Sequence, residues 1–128
     1  MRAYIDSDVL IWHLRGEKRA LSFLKKLQKT ADTDLWIGAI QRAEIVFFMR
    51  AEEEDLTLLL MSQLETASLD QTIVDLGGSL FRTWNSSHSV DINDCLLAAT
   101  AIQTGGIIYT LNTKHYPMPE INAVKAWG

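Results

Sequence analysis

Short β-rich apolar runs alternate with longer stretches of helical periodicity, and this alternation constrains the chain more than any other feature. The short runs fall at residues 2–5, 35–40, 66–69, 107–111 and 123–127. Between the first two, Ala20, Leu21, Phe23, Leu24 and Leu27 recur at helical spacing over Glu17–Lys29. The run at 35–40 turns into a helix expected to reach about Arg50, and residues 52–64 continue helically after the acidic "EEED". Asp70 is placed to cap a helix through about Trp84, and "DINDCLLAATAIQTGG" reads as a buried helix that begins acidic and ends in glycine. Strands separated by helices pair in parallel through crossovers, which predicts an α/β fold with helices on both sheet faces. No repeat or Pro/Ser-rich linker interrupts the pattern, so residues 1–128 are read as a single domain.

Composition narrows the setting. Hydrophobic residues make up 48% and charged residues 22%, and no apolar run is long enough to span a bilayer. With a single cysteine, Cys95, and no basic segment leading into a long apolar one at the start, a cytoplasmic location is expected. The net charge of −4 gives no general attraction to nucleic acid. Six of the twelve basic residues fall within 15–29, and they are read first as the solvated face of an amphipathic helix, with a phosphate-contacting edge as the second reading.

The acids are harder to place. Ligands of parallel sheets bind beyond the carboxyl ends of the strands, and Asp6 and Asp8 of "YIDSDVLI" lie just past the first one. Glu44 sits among Ala43, Ile45, Val46, Phe47 and Phe48; Asp91 and Asp94 open the buried helix; Asn112 follows the run at 107–111. Taken singly, Asp6 or Asp8 fits the cap of a helix starting near Val9, and Asp91 the cap of its own helix. Glu44 and Asp94 have mostly apolar company, where an unpaired carboxylate is costly. Several such acids are explained together by Mg²⁺ or Mn²⁺, which takes oxygen ligands and removes their repulsion. Ser7 would then orient a carboxylate or a bound water. His13, His88 and His115 show no zinc-like spacing with Cys95. The four tryptophans are read as core or interface anchors rather than base-stacking platforms.

In "YIDSDVLI", "AEI", "DCLLAATA" and "YTLNTKHYP", in this order and over nearly its whole length, the chain resembles the PIN-domain ribonucleases, specifically the VapC-type toxins of toxin–antitoxin pairs. The resemblance implies a three-layer α/β/α fold with a central parallel sheet of about four to five strands. It carries over Asp6, Glu44 and Asp94 as the catalytic, metal-holding acids, with Ser7, Asp91 and Asn112 in support. It implies a Mg²⁺- or Mn²⁺-dependent endoribonuclease acting on RNA, a VapB-like antitoxin and a homodimer. Many members carry a fourth acid where this chain has Asn112, and often another where it has His115, which leaves open one metal ion or two. The expected antitoxin groove lies along residues 10–24, with Trp12 and Leu14 beside Arg15. Two other readings compete: a haloacid-dehalogenase-like phosphatase using Asp6 and Asp8 of "DSDV", and a non-catalytic binding module that keeps the PIN fold.

Overall fold

The computed structural model describes residues 1–128. Five strands form one all-parallel sheet: β1 (Arg2–Ile5), β2 (Asp34–Gly38), β3 (Glu65–Ala67), β4 (Gly106–Thr110) and β5 (Asn122–Lys125), in the spatial order β3-β2-β1-β4-β5. The crossovers are α1 (Ser7–Leu14) with α2 (Lys18–Gln28), α3 (Ala39–Phe48) with α4 (Glu54–Ser62), and α5 (Gln71–His88) with α6 (Ile92–Thr104).

Strand periodicity sorts the core into two layers. Along β1, Tyr4 packs on one side with Leu97, Ala98 and Ile108, while Ala3 and Ile5 pack on the other with Leu10, Leu24, Ile37 and Leu60. The first cluster lies under α5 and α6, the second under α1 to α4, giving helix, sheet and helix layers. Helix α6 is apolar on most sides and buries Cys95, Leu97, Ala98, Ala99 and Ala101, as its composition predicts. Its C-terminus is set by Gly105 in the left-handed region (φ 79°), and the next residue, Gly106, leaves room for the Tyr4 ring and the Arg2 carbonyl, which an added Cβ would meet at 2.5 and 3.2 Å.

Local boundaries depart from the sequence expectations at three places. Helix α1 begins at Ser7 rather than near Val9, because Asp6 takes the cap position with its carboxylate on the Ser7 N–H. The acidic run forms a 3₁₀ turn at Ala51–Glu53 before α4 starts, so the helix is shorter than 52–64. Helix α5 runs past Trp84 to His88 and ends where Ser89 adopts a positive φ of 53°.

The chain builds outward from β1 in one direction to β2 and β3, then returns to lay β4 on the other side of β1. The strand order therefore reverses between β1 and β4. In open parallel sheets, the crevice at the carboxyl ends of such a pair is the place where ligands bind.

Candidate active site

Asp6 stands at that crevice. It is 8% exposed, and protein donors hold its carboxylate: the Ser7 N–H at 2.8 Å on Oδ1, and the Thr110 and Tyr116 hydroxyls at 3.1 and 2.7 Å on Oδ2. Burial and the Asp6 charge raise the Tyr116 phenol well above its usual range, so it stays protonated and donates. The Thr110 hydroxyl also lies 3.2 Å from Asp8 Oδ2, which accepts from the Leu111 N–H at 3.0 Å. Asp8 thus ties the start of α1 to the end of β4, and burial followed by the Asp6 charge pushes its carboxyl up.

Glu44 reaches the rim from α3. The Ser7 hydroxyl donates to it at 3.4 Å; burial first, then the charges of Asp6, Asp91 and Asp8, raise its carboxyl. Asp94 comes from the first turn of α6, where a reciprocal cap fixes it: its N–H donates to Asp91 Oδ1 at 2.7 Å, and the Asp91 N–H donates to Asp94 Oδ2 at 3.3 Å. Burial, then the negative charge of Asp91, pushes Asp94 up to about 7, with Asp6 adding to the effect. Asp91 is therefore the N-cap of α6, as its position in the sequence predicts.

His115 Nδ1 lies 3.5 Å from Asp94 Oδ2, and His115 Nε2 lies 3.0 Å from the Asn112 amide nitrogen. An amide donating to Nε2 leaves the imidazole proton on Nδ1, facing Asp94. Asn112 is exposed and reaches the cluster through His115, not by adding a charge.

Asp6 thus repels both Glu44 and Asp94 at this rim, and neither lysine nor arginine forms an ion pair with any of the three. No three acids or histidines close into a ready-made ligand cage around one point. A hard cation of the Mg²⁺ kind keeps several waters and needs only one or two direct carboxylates. The all-oxygen donor set, with its mutual repulsion unrelieved by an internal cation, fits such an ion.

The expected partner groove is divided. Leu14 and Arg15 line a narrow cleft with Ile11, Glu44 and Phe48, whereas Trp12, 49% exposed, borders a separate hollow with Trp127. Leu10 is wholly core. Sequence reasoning missed the clamp of Thr110 and Tyr116 on Asp6. Tyr116 lies within the "YTLNTKHYP" match, yet its spacing from Asp6, 110 positions away, carries no periodic signal.

The geometry defines an acidic site at the switch point of a five-stranded parallel sheet, and comparison with known proteins gives it a family. Residues 3–120 match the PIN domain; the chain belongs to that family. Its relatives include two proteins of Mycobacterium tuberculosis, Ribonuclease VapC10, 34% identical over 91% of this chain and 86% of the relative, and Ribonuclease VapC19, 31% identical over 89% and 91%. Among solved structures, VapBC2 from Rickettsia felis bound to a promoter DNA fragment superposes with a TM-score of 0.83 at 19% identity over all of both chains. A toxin–antitoxin complex from Klebsiella pneumoniae gives 0.79 at 21% identity over 98% of each. These two establish the shared three-layer fold. No helix is long and apolar enough to cross a membrane.

Proposed function

We propose that this chain is a metal-dependent endoribonuclease, the toxin of a VapBC-type pair. The observation that carries this reading is the juxtaposition of Asp6 with Glu44 and Asp94 at the β1/β4 switch point, with no lysine or arginine in an ion pair with them. These three would hold Mg²⁺ or Mn²⁺, which when bound supplies a Lewis acid for an RNA phosphodiester and a water of lowered pKa. The chain's own task is positioning. Thr110 and Tyr116 fix the Asp6 carboxylate in one orientation, the Ser7 hydroxyl steers Glu44, and the Asp91 cap holds Asp94 toward the rim. His115, held by Asn112, presents a nitrogen to Asp94 on the open side of the cluster.

The phosphatase alternative needs Asp8 beside Asp6 as a free acid and base, whereas Asp8 is engaged by the Val9 and Leu111 N–H groups at 2.7 and 3.0 Å. A VapB-like antitoxin is the partner this reading implies. The cleft holding Leu14, Arg15 and Glu44 opens beside Phe47 and Phe48, 80% and 83% exposed, an apolar rim suited to a protein partner. The test is cleavage of an end-labelled RNA pool in Mn²⁺ and in EDTA by wild type, Asp6→Asn and Glu44→Gln. Wild-type cleavage only in Mn²⁺, with at least about a 100-fold loss in each variant, is expected. Equal cleavage by Asp6→Asn would remove the assignment, and none by the wild type would favour a non-catalytic module.

A further inference from the structure

Beside the acidic rim lies a groove of opposite character. It is formed between α2 and the ends of β4 and β5, holds about 580 Å³, and has Phe23, Tyr109 and Trp127 among its walls. Phe23 stands between the other two rings, 5.3 Å from Tyr109 and 6.4 Å from Trp127, both tilted or edge-on. Lys18, Lys26 and Lys125 also line it, and none of them forms an ion pair. Arg19 lies 5.9 Å from the Trp127 ring but is tied to Glu17 at 2.8 Å, so much of its charge is already answered.

A solvated helix face explains Lys18 and Lys26 alone. It does not explain why Lys125, from a strand more than ninety positions away in sequence, lines the same groove around three partly open aromatic rings. Phe23, Tyr109 and Trp127 pack against the core on one side, yet each keeps solvent contact on the groove side. Cations set around aromatic faces are the chemistry that binds a single-stranded nucleic acid: lysines track phosphates, and unpaired bases stack on rings. The volume is within the range of sites that enclose a nucleotide-sized group.

One buried residue ties the groove wall to the acidic site. Thr110 accepts the Ala126 N–H on its carbonyl at 2.9 Å, at the groove end of β5, while its side-chain hydroxyl donates to Asp6 at 3.1 Å. Tyr109, the preceding residue, faces the groove. At the surface, the hollow between Trp12, Leu111, Lys125 and Trp127 shares Lys125 and Trp127 with the groove and extends it past the end of β4, to the residue after Thr110. We propose that this groove is a docking track for single-stranded RNA, which holds the strand flanking the scissile phosphate. The proposal rests on the ribonuclease reading for its substrate class, and it adds where the strand lies and which residues hold it.

The test separates binding from cleavage. A fluorescein-labelled, mixed-sequence single-stranded RNA of twelve nucleotides is titrated in EDTA, with anisotropy as the readout, at several salt concentrations. The proteins are wild type, Lys26→Glu/Lys125→Glu and Trp127→Ala, each checked for an unchanged circular dichroism spectrum; Trp127→Leu serves if Trp127→Ala is unfolded. The double charge reversal is expected to weaken binding at least about tenfold and to lower the salt slope by about 1.4, as two lost phosphate contacts require. Losing the Trp127 ring should weaken binding about five- to 100-fold while leaving the salt slope nearly unchanged. A matched duplex RNA should bind more weakly, because its bases are not free to stack. Wild-type affinity in both groove variants, or equal affinity for the duplex, would overturn the proposal. Wild-type binding that depends on the groove, without cleavage in Mn²⁺, would uphold the track while removing the nuclease reading. Cleavage with an unchanged KM in the groove variants would do the reverse.

Discussion

Asp94→Asn in the metal-free protein isolates the electrostatic cost of the acid cluster. Burial and the Asp91 charge raise the Asp94 carboxyl from 3.8 to about 7 in the folded chain. Between those values the folded state binds a proton that the unfolded state does not. Stability therefore falls as pH rises through the window and is lowest above it. At about 1.4 kcal/mol per pH unit the whole displacement would amount to roughly 4 kcal/mol. Water reaches the open edge of the cluster and screens its charges, so about 1–2 kcal/mol is the expected net effect. Asparagine keeps an oxygen to accept the Asp91 N–H, which Asp94 now does at 3.3 Å, so the cap survives. Urea unfolding in EDTA at pH 4, 6 and 8 measures the difference between variant and wild type directly. Asp94→Asn should be the more stable by about 1–2 kcal/mol at pH 8, or about 3–8 °C in Tm, with the advantage fading toward pH 4. A variant less stable than wild type at pH 8, or a difference independent of pH, would refute the reasoning.

Tyr116→Phe deletes a buried donor to Asp6 and should cost about 1–3 kcal/mol at neutral pH while slowing RNA cleavage; unchanged urea midpoint and rate would show that the 2.7 Å bond is idle. Asn112→Asp adds a charge where the chain has an amide, so half-maximal cleavage should need less Mn²⁺; an unchanged Mn²⁺ requirement would place residue 112 outside the metal's reach. Leu14→Ala should weaken the antitoxin complex more than Trp12→Ala, because Leu14 and not Trp12 shares a cleft with Glu44. Titrating the product of the neighbouring gene into both variants ranks them, and the opposite order would move the docking surface.

What the sequence made legible was local. The alternation of short apolar runs and helical segments sufficed for a parallel sheet, and the acidic start and glycine end of α6 marked its bounds because caps are written in adjacent residues. The end of α5 was legible only as far as Trp84, since the "NSSH" that follows is too polar to extend an apolar stripe although it is helical. In the site, Glu44 and Asp94 stood out by their apolar company and Asp91 by its place before a helix, while Asp6 was singled out from Asp8 only by the family resemblance. Asp8 was legible only in part: its local bond to the Val9 N–H at the helix start suits the capping reading, while its second partner, the Leu111 N–H, is 103 residues away. The basic run at 15–29 suggested at most a phosphate-contacting edge and not a groove, because Lys125, Tyr109 and Trp127 are brought to it only by the sheet.

Binding of Mn²⁺, followed by isothermal titration calorimetry near pH 6.5 in two buffers of different ionisation enthalpy, tests the central claim most directly. If Asp6, Glu44 and Asp94 hold the ion, wild type takes up Mn²⁺ with release of protons, since Asp94 is held near 7 and must ionise to bind. Asp6→Asn should then bind at least about tenfold more weakly, and Asp94→Asn should bind weakly with little proton release. Mn²⁺ binding of wild-type affinity and proton release in both variants would contradict the account.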